Sequence, residues 1–326
     1  MRHLRVDERV FVRQPKRLRR FIHGQWLGRY SGTNTGTLVI DLDDVGTHYE
    51  GRACAYDDNT SIPSAFILIK TTAKADAFHL RLPVLPMDTR TGEPTTWNNL
   101  ASLYPGAAFP EYADVDLKLV GEMIDVRWTT DIGTFGSAEI LRSKADAPSE
   151  YERFRNINTW DYFKNHVNTL EHRRYIFRGQ AKLRRLRTSF HRTGRADLGR
   201  FIEQDIKTLH RHLSLRTTHV FNLTIPDENG AFFNLVQHHG YPTPLLDWSF
   251  SPFVAAFFAY HGIKNSEAAR AGAQKVRIFV FNQKEWRARI PQISKVTPAR
   301  PHFSILEFIA IDNERLIPQQ SISSLR

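Results

Sequence analysis

The chain has 326 residues, 41% of them hydrophobic, a formal charge of +11 and one cysteine. That length suits two ordinary domains with real cores, and the lone Cys54 excludes an intrachain disulfide and fits a reducing compartment. The basic start lacks the apolar run of a signal peptide, and the longest apolar stretch, near Phe253–Tyr260, is too short to cross a bilayer, so a cytoplasmic protein with no membrane partner is expected.

Residues 1–20 carry eight Lys/Arg against two Asp/Glu and read as a basic arm. From 21 to 142 the pattern changes to short strands: TGTLVIDL, HYEGRACAY, SAFILIK, FHLRLPVL, DVDLKLVG, MIDVRWTT and GSAEILR. Several alternate polar and apolar residues with period two, and Gly, Asp and Asn punctuate them. This predicts an antiparallel β-sandwich or small barrel. A barrel of this size is more often filled by its own side chains than open to a ligand. Residues 21–150 are acidic, with ten basic and eighteen acidic side chains.

Residues 143–152, beginning SKADAPS, read as a linker, and 153–326 as a second, mixed α and β domain. Asn158-Thr159-Trp160 starts a helix running to about Leu170, and RRYIFRG is a strand ending in glycine. Asp197 to about Leu213 has apolar residues at helical spacing. Ala231–His239 is a helix ending at Gly240, Ser251–Tyr260 is another, and VRIFVFN and FSILEFIAI are strands. Residues 151–326 carry twenty-seven basic and fourteen acidic side chains. Such a surface draws phosphate-bearing or acidic partners, or it is a charged face that meets the acidic domain beside it.

Three motifs in the second domain carry polar groups suited to a ligand. Phe177-Arg178-Gly179-Gln180 puts a planar cationic fork beside backbone that a ligand can approach closely. Thr188-Ser189-Phe190-His191-Arg192 adds hydroxyls, an imidazole and a second arginine, and reads either as a locally bonded turn or as another wall of an anion pocket. The block QHHGYPTPLLDWSFSPFVAAFFAY, from Gln237 to Tyr260, sets Gln237, His238, Asp247, Ser249 and Ser251 in a stretch that otherwise reads as buried. Ser251 before Pro252 is a good helix start, which also aims free amides at any anion there. Trp248 is either core or a stacking face for a base.

In this order the motifs resemble the FRG domain, a family named for its Phe-Arg-Gly. The resemblance covers about residues 155–320 and includes FRGQ, SFHR, QHHG, PTPLLDWSFSP and, near the end, Asn313, Arg315 and Gln319 in NERLIPQ. Where the family usually has arginine after the threonine, this chain has Pro244, which removes one cation.

A looser resemblance is to ADP-ribosyltransferases of the Arg–Ser–Glu type. Arg178-Gly179 matches their first-strand arginine, and Ser249-Phe250-Ser251 before Ala255-Ala256-Phe257-Phe258 matches their Ser-x-Ser and apolar helix. The resemblance implies NAD as substrate, with Arg178 gripping phosphate and ribose and Ser249 orienting the nicotinamide ribose. It extends the cofactor contacts to Phe177, Gly179, Gln180, Ser189, Arg192, Gln237, His238, Asp247, Trp248 and Ser251. At the family's catalytic glutamate the aligned residue is Gln319, with Glu307 and Glu314 nearby to supply the negative charge an oxocarbenium-like centre needs.

The chain shows no metal-ligand spacing, no phosphate-binding loop and no nucleophile elbow. The expected architecture is α+β: the antiparallel β domain followed by an FRG, ADP-ribosyltransferase-like domain. The expected function is NAD-dependent ADP-ribosylation, in a toxin or phage-defence effector with a nucleic-acid or other acceptor and a protein regulator or antitoxin at the β domain. The alternatives are a non-enzymatic nucleotide or nucleic-acid binding module, and an NAD-independent ribonuclease using His191, His238, His239 and Arg178.

Overall fold

The computed structural model describes residues 21–88, 92–144, 147–264, 275–296, 302–307, 309, 311 and 321–325. The basic arm, residues 1–20, lies outside them.

Eight antiparallel strands close into an up-and-down barrel: β1 (Gly24–Gly32), β2 (Gly36–Asp44), β3 (Tyr49–Asp57), β4 (Ala65–Lys70), β5 (Ala77–Pro86), β6 (Tyr112–Val120), β7 (Met123–Thr130) and β8 (Phe135–Arg142). A short helix, α1 (Trp97–Leu100), lies between β5 and β6. The sequence showed seven of these strands. The missed one, β1, pairs with both β2 and β8 and closes the barrel, which decides between barrel and sandwich. Closure leaves no unpaired edge. Alternation sends Trp26 and Tyr30 of β1, and Leu38, Ile40 and Leu42 of β2, into one packed interior with Ile124 and Ile140. The barrel is filled by its own side chains.

The second domain is built on a five-stranded sheet in the order β11-β9-β10-β13-β12. Its strands are β9 (Tyr175–Gln180), β10 (Leu245–Ser249), β11 (Arg277–Asn282), β12 (Ser304–Leu306) and β13 (Ser321–Leu325). The helices are α2 (Trp160–Asn168), α3 (Ser189–Arg192), α4 (Leu198–Arg200), α5 (Lys207–Leu213), α6 (Pro226–His238), α7 (Pro252–Tyr260) and α8 (Gln283–Arg289). The helix expected over 197–213 is interrupted: a π-helical segment, Phe201–Ile206, joins α4 to α5. The helix expected from Ala231 begins earlier, at Pro226, where proline suits the first helical position. LLDWS is the strand β10, and SISSL is the strand β13 that the sequence did not reveal.

Helix α7 reads as wholly buried in sequence but is not. It lays its small face, Ala255, Ala256 and Ala259, on β9, while Phe253, Phe257, Phe258 and Tyr260 are 46–57% exposed. Gly179 permits this approach, since a Cβ there would fall on the Ala255 carbonyl oxygen.

The domains meet across the outer face of β1–β3. Strand alternation that buries Leu42 turns Asp43 outward, yet Asp43 is only 2% exposed because the second domain covers it. Its carboxylate takes the Arg195 Nε at 3.0 Å and the backbone amides of Ala196 and Asp197 at 2.7 and 3.2 Å. Arg52 donates to Asp197 at 2.8 Å, and Asp197 in turn caps the first turn of α4. Arg187 donates to the Gln25 side-chain oxygen at 2.8 Å. The linker also pairs: Ser149 and Arg185 exchange backbone bonds with Leu183 and Ala147. Removing one partner of a buried charge pair typically costs about 3–5 kcal/mol, so this junction is a fixed contact rather than a loose tether.

Candidate functional site

The FRGQ arginine and the LLDWS serine come together on adjacent strands, β9 and β10, which pair at Phe177 and Ser249. The pairing also fixes their directions. Ser249 shares the face of Phe177, toward α7, while Arg178 shares the opposite face with its β11 partner Phe279. The two side chains therefore flank the sheet rather than point into one hollow.

Arg178 reaches across to donate from Nη1 to the Asp247 carbonyl. That bond begins a connected network. Gln237 Nε2 donates to the Asp247 carboxylate, the Thr243 hydroxyl donates to Gln237 Oε1, and the Ser189 hydroxyl both accepts from Thr243 N at 2.9 Å and donates to Thr243 O at 3.1 Å. Motifs scattered over 178–247 are thus wired together, with fully buried Thr243 at the hub. Thr243 was not among the expected site residues, although it sits inside the quoted Pro-Thr-Pro. Pro244, at the position of the family's arginine, is buried.

One atom of this network stays unsatisfied. Arg178 Nε is buried with no hydrogen-bond partner, a state that costs roughly 1–3 kcal/mol. Burial lowers the pKa of the guanidinium, with Asp247 opposing and Arg192 adding to the effect.

The other expected residues take more structural places. Phe177 is 4% exposed and packs with Phe163, Val167, Ala255 and Ala256, so it is core rather than a cofactor contact. Gly179 serves the packing of α7 instead of leaving room for a ligand. Gln180 ends β9 opposite Arg277. Ser249 is 4% exposed and its Oγ accepts from Ser251 N at 3.0 Å, while Ser251 caps α7 through Val254 N at 3.3 Å. Trp248 is 3% exposed, and its Nε1 donates to Ser324 Oγ at 2.9 Å. Thr188 caps α3, so the local hydroxyl bonding weighed for that segment is present, and Arg192 donates to the Arg185 carbonyl at 2.9 Å. His238 ends α6, half-buried. Glu307 is exposed and bridges Arg173 and Arg287 at 3.3 and 3.1 Å. Gln319, Glu314, Asn313 and Arg315 lie outside the described residues. The following strand enters the sheet with Ser321 paired to Ser249.

A cleft of about 1410 Å³ lies between the sheet and the barrel. Trp248, Phe279 and Trp286 give it aromatic walls, Arg153 and Arg277 give it cations, and β2 of the barrel supplies Val39 and Asp41. Of the expected catalytic and cofactor-binding residues among the described ones, Trp248 alone lines it; Arg178 and Ser249 do not, and of the three histidines His191 does while His238 and His239 do not. Burial pushes the Asp41 carboxyl up to about 7, against the opposing effects of Gln25 and Arg52, and its Oδ1 is buried without a hydrogen-bond partner. A carboxyl poised near neutrality in a cleft is a common mark of a functional site. Among the described residues there is no group of three His, Cys, Asp or Glu placed to hold a metal, and no helix long and apolar enough to cross a membrane.

Residues 173–268 match the family model of the FRG domain. The chain therefore carries an FRG domain there, spanning the motifs from FRGQ to the α7 helix. No curated protein and no solved structure matches the chain.

Proposed function

We propose that the FRG domain makes this protein an NAD-dependent ADP-ribosyltransferase, with NAD lying in the cleft between sheet and barrel. The reading rests on Arg178, a buried guanidinium whose Nε has no partner: it does not itself line the cleft, but it shares the sheet face of Trp248 and Phe279, which do. An arginine fork is suited to a pyrophosphate, and an aromatic wall to a nicotinamide or adenine ring. The cleft volume of about 1410 Å³ exceeds the roughly 300–1,000 Å³ of ordinary ligand pockets, which leaves room for a dinucleotide.

In ADP-ribosyl transfer the nicotinamide–ribose bond breaks, nicotinamide leaves with the bonding electrons, and an acceptor nucleophile takes its place. Arg178 anchors the substrate in this reading. Ser249 acts as a positioning residue, because its Oγ holds the corner between β10 and α7. The developing cation is met either by the carbonyl oxygen of Gln319, a neutral acceptor, or by the negative charge of a neighbouring glutamate, Glu307 or Glu314. The acceptor is a nucleic acid, in keeping with the twenty-seven basic against fourteen acidic residues of 151–326. An effector of this kind acts as a toxin or in phage defence, with the barrel as the docking site of its regulator.

A second reading, a nucleotide-binding module without turnover, is favoured by the commitments of the described carboxylates. Glu307 is held by two arginines and Asp247 by Gln237. The experiment that separates them incubates the full chain with labelled NAD and RNA or DNA acceptors, beside Arg178→Ala. Nicotinamide release or label transfer that disappears in the variant supports the transferase. NAD binding with no release under any acceptor supports the module, and neither binding nor release sinks both.

A further inference from the structure

We propose that the junction of barrel and FRG domain holds a second site, adjoining the NAD cleft, that binds the phosphate groups of a phosphate ester. It is a cavity of about 410 Å³ at the start of β1, lined by Arg142 and Lys144 from the barrel side and by Arg187, Arg192 and Arg195 from the FRG side. Among the described residues no acidic side chain lines it. A concave surface with one sign of charge focuses potential and draws the opposite ion.

The cations differ in how far they are neutralised. Arg195 is held by Asp43 and Asp205, and Lys144 by Glu122 at an exposed position. Arg142 is different: it donates to the carbonyls of Phe21 and His23, lies 4.2 Å from the Trp26 ring centroid, and has no ion-pair partner among the described residues. The guanidinium is half-buried without a counter-charge, which an anion in the cavity would supply. Gly24 makes space for it, since its φ is +117° and a Cβ there would sit 2.8 Å from Arg142 Nη1. Beside it, His23 Nδ1 is buried with no hydrogen-bond partner, a second polar atom left for a ligand. Arg187 donates to Gln25, and Gln25, Arg187 and His191 line both this cavity and the larger cleft. Because its walls come from two domains, an anion here tightens their contact whether or not the FRG domain turns over NAD.

The test titrates inorganic tripolyphosphate into the full chain by calorimetry, with inorganic sulfate as the weak-anion comparison. Tripolyphosphate is expected to bind well above sulfate and to raise the melting temperature. Lys144→Gln and Arg192→Gln, both at exposed positions, are each expected to weaken it about fivefold or more, the scale of one lost charge-assisted contact. Arg142→Gln is expected to abolish it, and the two exposed variants carry the test where that chain does not fold. Arg127→Gln, on a distant exposed strand position, is expected to leave it unchanged. No binding, or equal loss in the Arg127 variant, overturns the site in favour of diffuse charge. Parallel titrations with ATP, and with short RNA bearing a 5′-triphosphate or a 5′-hydroxyl, tell free nucleotide from a nucleic-acid end.

Discussion

Two polar networks hold this molecule together, and they are built on different principles. The FRG network, Arg178–Asp247–Gln237–Thr243–Ser189, runs mostly through neutral hydrogen bonds between groups at most 69 residues apart. The junction network, Asp43–Arg195 and Arg52–Asp197, uses buried charges 145–154 residues apart. Neutral bonds leave a modest penalty when one side is lost, whereas a stranded buried charge leaves a large one. The difference teaches that much of the FRG motif is scaffold, and that the barrel is a fixed wall of the cleft rather than an appendage.

Asp43→Ala attacks the charged network hardest. It leaves Arg195 to Asp205 alone and strands two buried backbone amides, so a loss of about 3–5 kcal/mol is expected in urea unfolding, with separate transitions for the two domains. A single transition at the wild-type midpoint would show that the junction does not couple them. Asp41→Asn acts through pH. The folded state raises this carboxyl from 3.8 to about 7, so its contribution to stability is full below the ordinary aspartate range and is lost as pH rises through about 7. The variant is expected to flatten that fall and to gain on the order of 3 kcal/mol at pH 8, read by melts across the range. Parallel wild-type and variant profiles contradict it.

Thr243→Val probes the neutral network. It removes the hydroxyl bonded to Gln237 while keeping the shape, and an expected 1–3 kcal/mol is lost to the unsatisfied amide. A loss as large as that of Asp43→Ala would erase the contrast between the networks. Glu307→Gln sits at the bottom of the scale: its two arginine pairs are exposed, so less than about 1 kcal/mol is expected from denaturant curves.

Legibility followed locality. The barrel strands that alternate cleanly, such as TLVIDLDD, showed in sequence, whereas GQWLGRYSG did not: its glycines and arginine blur the alternation, and only pairing to β2 and β8 reveals it. SISSL was equally opaque, a small polar strand defined by its partners β10 and β12. The FRG segments were legible because five motifs occur in order, but their roles were not. Phe177 and Gly179 serve packing against α7, which depends on a helix some 75 residues later. Arg178 and Ser249 lie on neighbouring strands, but the pleat that sends their side chains to opposite faces appears only in the register. Asp43 shows the limit most plainly. Alternation marks it as outward, and outward reads as solvated until a second domain covers it.

The most direct measurement is a calorimetric titration of NAD into the wild-type chain and into Arg178→Gln, with melting curves of both. Saturable binding is expected to the wild type and at least about tenfold weaker binding to the variant, the scale of one lost charged contact, with a variant that still melts cooperatively after losing the bond to the Asp247 carbonyl. Equal affinity in the two chains, or none in either, would contradict that expectation.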